Sequence, residues 1–134
     1  MQILKDIIVK IEGKTSKMRA LFDAGSTFTV MGYSVLEERF GKVPAKPLPK
    51  PLEGALPNGQ KIVIDGYVDA EFIIDEYLRS ERIYLSKDIV KKVVLEEREV
   101  ALPELIIGSP TMEVWGLELD LKSGEIVYRG SFII

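Results

Sequence analysis

The chain contains no histidine and no cysteine in its 134 residues. Imidazole general bases, thiolate nucleophiles, disulfides and metal sites built on these two residue types are therefore excluded, so any hydrolytic chemistry falls to carboxylates, hydroxyls, lysine or tyrosine. The absence of cysteine also fits a reducing compartment, and residues 1–12 alternate charged and aliphatic side chains where a signal peptide would have a continuous apolar core. We therefore predict a cytoplasmic protein.

The sequence also lacks a run of basic residues and a long apolar segment. Its 18 basic and 21 acidic residues give a net charge of −3, with no concentrated positive charge that would attract nucleic acid. No apolar stretch approaches the roughly 20 residues of a membrane-spanning helix. The length of 134 residues is typical of one domain. We predict a single domain over residues 1–134, with neither nucleic acid nor a membrane as partner.

Short segments of alternating apolar and polar residues, separated by turn signals, predict a mainly β fold. Two short helices interrupt the strands. The first is predicted to begin at a capping box formed by Ser34 and Glu37 and to end at Gly41. The second is predicted to begin with Ser109 as its cap, followed by a proline, and to end at Gly116.

The middle of the chain is punctuated by proline and glycine. Four of the seven prolines fall within residues 44–51, which predicts an extended connector instead of a helix or a central strand. Pro57, Asn58 and Gly59 then predict a hairpin tip, because an Asn-Gly pair tolerates positive φ angles, and the hairpin spans about residues 52–66. The conformation of residues 86–103 stays open.

The candidate catalytic residue is Asp23. It follows an apolar strand and opens a turn of small and hydroxyl residues, which is a suitable way to present a reactive carboxylate. The rest of this loop consists of Ala24, Gly25, Ser26 and Thr27. A second motif lies far along the chain, where a continuous apolar strand containing Ile106 and Ile107 ends at Gly108.

The order of these motifs resembles that of the retroviral-type (retropepsin-like) aspartic protease family. Asp23, Gly25 and Ser26 match the family's acid turn, and Ile106, Ile107 and Gly108 match the apolar pair and glycine that precede its C-terminal helix. The hairpin at Pro57, Asn58 and Gly59 resembles the flap that folds over a bound peptide. The resemblance spans nearly the whole chain and implies an acid-protease β-barrel with two short helices.

The resemblance implies aspartic endopeptidase activity without a metal or another cofactor. The reaction needs two carboxylates that share one proton, and the chain offers one such motif, so a second Asp23 must come from an identical subunit across a two-fold axis. The resemblance also implies that the apolar termini, Met1–Leu4 and Ser131–Ile134, interleave in a shared sheet. The substrate would be a peptide or an unfolded protein, with Val30, Ile64 and Ile107 as candidate lining residues.

Two departures from the family pattern keep a second function open. Ala24 stands where the family usually has a Thr or Ser that links the two catalytic loops, and Thr27 and Ser109 occupy the positions of an acid and an arginine that pair in many members. The alternative is therefore a catalytically inactive dimeric peptide-binding or scaffolding module of the same fold.

Two other classes of enzyme share part of the Asp23 turn. The sequence from Asp23 to Thr27 also resembles the first phosphate loop of actin-like kinases, but those proteins need two much larger lobes than this chain can form. A haloacid-dehalogenase-type phosphatase would need a second aspartate where Gly25 stands. Both classes are disfavoured.

Overall fold

The computed structural model describes residues 2–56, 59–89, 92–95, 97–101 and 103–128. Eleven strands and two helices are formed by these residues. In chain order they are β1 (Gln2–Ile11), β2 (Lys14–Asp23), β3 (Val30–Gly32), α1 (Tyr33–Phe40), β4 (Lys46–Ala55), β5 (Lys61–Ile74), β6 (Tyr77–Ser86), β7 (Lys92–Leu95), β8 (Arg98–Ala101), β9 (Leu105–Ile107), α2 (Ser109–Trp115), β10 (Leu117–Asp120) and β11 (Glu125–Tyr128).

Seven of the strands form one sheet in the order β1, β2, β9, β3, β6, β5, β4. A further antiparallel pairing, between residues 8–10 of β1 and residues 71–73 of β5, closes six of these strands into a barrel and leaves β4 at the edge. The hairpins β7–β8 and β10–β11 form two separate two-stranded sheets. The segment left open by the sequence therefore contains the β7–β8 hairpin.

The barrel interior is filled by the apolar faces of alternating strands. Ile7, Val9 and Ile11 of β1 are buried while the residues between them are not, as their period of two predicts. Phe22 and Phe72 are fully buried in the same core. Burial of one such side chain contributes about 2–3 kcal/mol, so the barrel is a stable support for the loops at its ends.

The first helix begins earlier than the sequence predicts. Gly32 is the N-cap residue and no side chain caps the helix, so the predicted capping box at Ser34 is wrong. The physical reason is that β3 runs directly into α1, which places Ser34 inside the first turn. The predicted end is confirmed, because Gly41 has a φ of +73° and its N–H bonds to the carbonyl of Glu37.

The second helix is displaced by one residue from its prediction. Gly108 is the N-cap residue, and Ser109, predicted as the cap, is the first helical residue. Gly116 ends the helix in the left-handed conformation, as predicted.

None of the helices in the described part of the chain is long and apolar enough to cross a membrane.

The proline-rich segment is a strand and not the predicted connector. It is extended as predicted, but it forms β4 at the edge of the sheet, where residues that lack an N–H donor are tolerated. Its pairing with β5 is interrupted between Pro47 and Leu52, which lie opposite Gly66 and Ile64. The prolines therefore lie mostly where the ladder is absent.

The N-terminal residues belong to the first strand of the barrel. Gln2, Ile3 and Leu4 are part of β1 and pair with Asp23, Phe22 and Leu21 of the same chain along one edge, and their place in a sheet shared with a second subunit stays a prediction. The buried side chain of Ile3 explains the pairing within the chain, because the apolar pattern of β1 continues to that residue. Met1 and residues 131–134 lie outside the described part of the chain.

Candidate active site

Asp23 is the last residue of β2, at the point where that strand leaves the barrel. Parallel pairing with β9, which matches Leu21 to Ile106 and Phe22 to Ile107, holds this end of the strand in place. Asp23 is only 5% exposed, and what remains accessible opens into a cavity. A buried carboxylate needs hydrogen-bond partners, and the surrounding residues supply them.

Each oxygen of the Asp23 carboxylate accepts one hydrogen bond. The N–H of Gly25 donates to Oδ1 at 2.9 Å, and the side-chain amide of Gln2 donates to Oδ2 at 3.3 Å. The N–H of Ser26 donates to the Asp23 carbonyl at 3.1 Å and closes the turn. These contacts fix the side chain toward the cavity.

Gln2 is a contact that the sequence reasoning missed. It stands directly opposite Asp23 in the β1–β2 pairing, so the two side chains share one face of the sheet. The only available signal was the length of the first hairpin, which determines that pairing.

A second loop packs against the Asp23 turn at Gly108. A Cβ atom on this glycine would lie 2.8 Å from the carbonyl oxygen of Phe28 and 2.9 Å from that of Ser26. The next residue, Ser109, donates its N–H to the Ser26 carbonyl at 2.8 Å. The two loops can therefore approach this closely only because residue 108 has no side chain.

A buried pair of threonines joins the segment before β3 to the first turn of α2. The hydroxyls of Thr29 and Thr111 are 2.7 Å apart, and the N–H of Gly108 donates to the Thr29 hydroxyl at 3.1 Å. Both side chains are buried. The sequence reasoning missed this pair, because it joins residues 82 positions apart and neither residue has a local pattern that distinguishes it.

Neutral hydrogen bonds hold the acid loop against residues 108–111, where many members of the family have an ion pair between an acid and an arginine. Thr27, in the position of the family's acid, is exposed, and Ser109 takes part through its backbone N–H. The loop junction is held instead by the Ser26–Ser109 bond and the Thr29–Thr111 pair. Because Thr27 and Ser109 replace both the acid and the arginine of the family pair, neither charge is left at this junction without the other.

The cavity beside Asp23 has a volume of about 530 Å³ and lies between the acid turn and the β4–β5 hairpin. Val30, Ile62, Ile64 and Ile106 supply apolar side chains to its lining. Val30 and Ile64 thus lie where the sequence analysis placed them.

The prediction that Ile107 lines the cavity is wrong. Its side chain is fully buried in the barrel core, and its neighbour Ile106 lines the cavity. Successive side chains of a strand point to opposite faces, so an error of one residue changes the surface that a side chain reaches.

The predicted hairpin over the cavity is present. Residues 52–55 of β4 pair with residues 61–64 of β5, and its tip is closed by bonds from the N–H of Leu56 to the Gln60 carbonyl and from the N–H of Gly59 to the Leu56 carbonyl, both 2.8 Å long. Gly59 has a φ of +86°, the left-handed conformation that its sequence context predicts. Pro57 and Asn58 lie outside the described residues.

The described residues contain no group of acidic side chains arranged to hold a metal ion. Ala24 is exposed next to Asp23, and its methyl group offers no hydrogen bond to a neighbouring loop. The site is therefore one buried and oriented carboxylate at the edge of a cavity that is lined by both apolar and polar residues.

Two solved structures are similar to this chain over most of its length. One is the retroviral protease-like domain of Ddi1 from Leishmania major, with a TM-score of 0.61, 13% sequence identity and coverage of 96% of this chain and 87% of that one. The other is EIAV protease in complex with the inhibitor HBY-793, with a TM-score of 0.56, 14% identity and coverage of 88% of this chain and 93% of that one. No protein-family model and no curated protein matches the sequence.

The likeness to these structures establishes the fold. The chain has the mainly β, retropepsin-like barrel with two helices that its motifs predict. At sequence identities of 13% and 14%, this similarity shows the fold alone, so an activity has to be argued from the residues of the site.

Proposed function

We propose that the protein is a homodimeric aspartic endopeptidase in which two Asp23 carboxylates activate a water molecule. One observation carries the proposal: a buried carboxylate, oriented by the N–H of Gly25, faces a cavity of about 530 Å³ beneath a hairpin. The fold shared with a retroviral protease supports the same conclusion.

The reaction needs a second carboxylate, which the symmetry of a dimer would supply. Two carboxylates about 3 Å apart hold one proton between them, because both cannot be ionised at low cost. The ionised Asp23 accepts a proton from water as the oxygen attacks the peptide carbonyl carbon, and the protonated Asp23 donates its proton to the carbonyl oxygen. Collapse of the tetrahedral intermediate then breaks the C–N bond: one Asp23 donates its proton to the leaving nitrogen and the other accepts a proton from a hydroxyl of the intermediate, which restores the carbonyl group and the shared proton of the pair.

Contacts within each chain compensate for the missing hydroxyl at Ala24. Gln2 and Gly25 hold the Asp23 carboxylate, and the Thr29–Thr111 pair holds the loop behind it. Each subunit therefore brings a preorganised acid turn to the dimer axis, without the hydroxyl network that Thr or Ser at residue 24 would provide.

The cavity favours an extended peptide or unfolded protein with apolar side chains. Val30, Ile62, Ile64 and Ile106 form an apolar lining around the carboxylate, so burial of substrate side chains would supply binding free energy next to the scissile bond. The β4–β5 hairpin would cover the bound chain and exclude water from the reacting carbonyl.

The second candidate function is that of a dimer with the same fold and no catalytic activity. Ala24 is the observation that favours it, since the exposed methyl group leaves the two catalytic loops without a hydroxyl bond across the axis. Such a protein would bind or scaffold peptides without cutting them.

A cleavage assay separates the two functions. Purified protein is incubated with an unstructured protein and with a peptide library from about pH 3 to about pH 8, beside an Asp23→Asn variant that keeps the shape of the side chain. We expect cleavage by the wild type alone. Stable peptide binding without cleavage at any pH would contradict the endopeptidase proposal and support the binding module.

A further inference from the structure

Strand β5 has a bulge at Asp65, between the barrel and the hairpin that covers the cavity. Beyond the bulge the hairpin is still attached to the barrel at Ile64, which pairs with β6, and at Val63, whose N–H donates to Oδ2 of Asp88 at 2.8 Å. On β6, Ile64 pairs with Ser86 and Gly66 pairs with the adjacent Leu85, so Asp65 has no place in that ladder. Both ladders of β5 are therefore interrupted at the same residue, because the pairing with β4 also shifts across it. A bulged strand bends and its ladder is locally disrupted, so we infer that Asp65 is the hinge about which the hairpin moves.

Tyr33 contacts this hinge from outside the hairpin. Its hydroxyl donates a hydrogen bond of 2.7 Å to Oδ1 of Asp65. Partial burial and the bond to Asp65 raise the pKa of Tyr33 to about 12, so the hydroxyl keeps its proton, and remains a donor, throughout the acidic and neutral range.

Gly66 is the residue that lets Tyr33 reach the hinge. A Cβ atom at this position would lie 2.3 Å from the Tyr33 hydroxyl oxygen and 3.2 Å from the Lys46 carbonyl oxygen. The distance to Cζ of the Tyr33 ring would be 3.5 Å, which is an ordinary contact. The absence of a side chain at Gly66 therefore accommodates the hydroxyl group specifically.

The other end of the contact is anchored in the rigid part of the molecule. Tyr33 is the first residue of α1, and Val35, Leu36 and Phe40 of this helix are buried in the barrel core. The residues just before α1 form β3, whose first residue, Val30, lines the cavity. The Tyr33–Asp65 bond thus joins the floor of the cavity to the hinge of the hairpin above it.

We propose that Tyr33 is a positioning residue, which sets the height of the β4–β5 hairpin above Asp23 and hence the affinity for a bound peptide. The inference deepens the proposed function and rests on it in one respect, that the hairpin covers the bound peptide. Loss of the hydroxyl removes one contact at the hinge and leaves the Val63–Asp88 bond and the Ile64–Ser86 pairing in place, so the hairpin samples more open positions and closes on the peptide at a greater free-energy cost.

The hairpin position can be measured without any catalysis. Because the chain has no cysteine, two spin labels can be attached specifically at Thr27→Cys in the acid loop and Lys61→Cys on the hairpin. The labelled chains are then diluted with an excess of unlabelled wild type, so that the measured distance is the one within a single chain. We expect Tyr33→Phe to lengthen and broaden the distance distribution. Tyr77→Phe, which changes an exposed tyrosine at the start of β6, is the matched control and is expected to leave the distribution unchanged.

Gly66→Ala supplies a second variant with a different chemical change. Its methyl group displaces the Tyr33 hydroxyl, so we expect the same broadening as in Tyr33→Phe. In the double variant the ring lacks the hydroxyl, so the alanine should add to the effect of Tyr33→Phe only the smaller crowding of its methyl group against the Lys46 carbonyl oxygen, 3.2 Å away. Independent and additive effects of the two substitutions would contradict the proposed contact.

Peptide affinity is measured in the Asp23→Asn background, so that binding is separated from cleavage. We expect Tyr33→Phe to weaken binding of an unstructured peptide by about threefold to tenfold, the effect of one hydrogen bond. Superimposable distance distributions for wild type and Tyr33→Phe would overturn the inference whether or not the protein cleaves peptides. Failure of cleavage by the wild type would overturn the proposed function and leave the distance measurement valid.

Discussion

Replacement of Thr29 by valine tests how the acid turn is held. Valine has nearly the shape of threonine, so the substitution removes the hydroxyl without leaving a cavity, and the change in free energy of unfolding reports on hydrogen bonding. The Thr29 hydroxyl is 2.7 Å from the Thr111 hydroxyl and accepts the N–H of Gly108 at 3.1 Å, and Thr29 is only 3% exposed.

The expected loss follows from the groups that the substitution leaves without this partner. A buried donor or acceptor deprived of its partner costs about 1–3 kcal/mol, and Thr29→Val deprives both the Gly108 N–H and the Thr111 hydroxyl. We therefore expect a loss of about 2–6 kcal/mol. Thr111→Val breaks only the bond between hydroxyls and leaves the Gly108 bond in place, so its cost should be smaller, about 1–2 kcal/mol.

Urea unfolding of the two variants measures both losses, provided that the slope of the free energy against urea concentration stays constant. Thr27→Val in the same loop is the control, because Thr27 is exposed and its replacement should change stability by less than about 0.5 kcal/mol. The reasoning is refuted if Thr29→Val costs no more than Thr111→Val, or if it falls within the range of the control.

Two further predictions concern backbone crowding and pH. Gly108→Ala should destabilise the protein by about 1–3 kcal/mol, because the new methyl group would lie 2.8 Å from the Phe28 carbonyl oxygen and 2.9 Å from that of Ser26. Gly54→Ala is the control and should change stability little, since its nearest neighbour is Ile62 at 3.8 Å. Equal losses of stability for the two variants in thermal unfolding would contradict the crowding at Gly108. The Lys5 ammonium, 2.8 Å away, and the Tyr128 hydroxyl lower the pKa of Asp75, so its contribution to stability is present above the ordinary carboxyl pKa of about 4 and is lost as the pH falls through the lower folded-state value. Asp75→Asn should therefore cost at most about 1 kcal/mol at neutral pH, since the Asp75 side chain is 42% exposed, and the cost should shrink as the pH falls below about 4. A cost that grows on acidification would be incompatible with this assignment.

Local chemistry made some parts of the site predictable from the sequence. Gly59 needs a positive φ angle, Gly108 follows a continuous apolar strand, and Asp23 opens a turn of small residues, so each carries its structural reason in its neighbours. The alternation of buried residues in β1 was predictable for the same reason.

Contacts between distant segments were not predictable. The Thr29–Thr111 pair and the Tyr33–Asp65 bond depend on how strands far apart in sequence are placed, and a threonine or a tyrosine has many possible partners. The choice of Ile107 over Ile106 as a lining residue was wrong because the facing of a short strand cannot be fixed when both neighbours are apolar.

The start of α1 shows how tertiary context can override a local signal. Ser34 and Glu37 have the spacing of a capping box, but the direct passage from β3 into the helix begins it at Tyr33. The proline-rich segment gives a related result, since its residues favour an extended conformation that suits an edge strand as well as a connector.

The central claim is that two Asp23 side chains act together across a two-fold axis. Peptidase activity is measured in mixtures of wild-type and Asp23→Asn chains after subunit exchange, at constant total protein. If both carboxylates are required, activity follows the square of the wild-type fraction, so an equal mixture keeps about a quarter of the wild-type activity. A linear dependence, with about half of the activity remaining in the equal mixture, would show that one Asp23 is sufficient and would contradict the shared site.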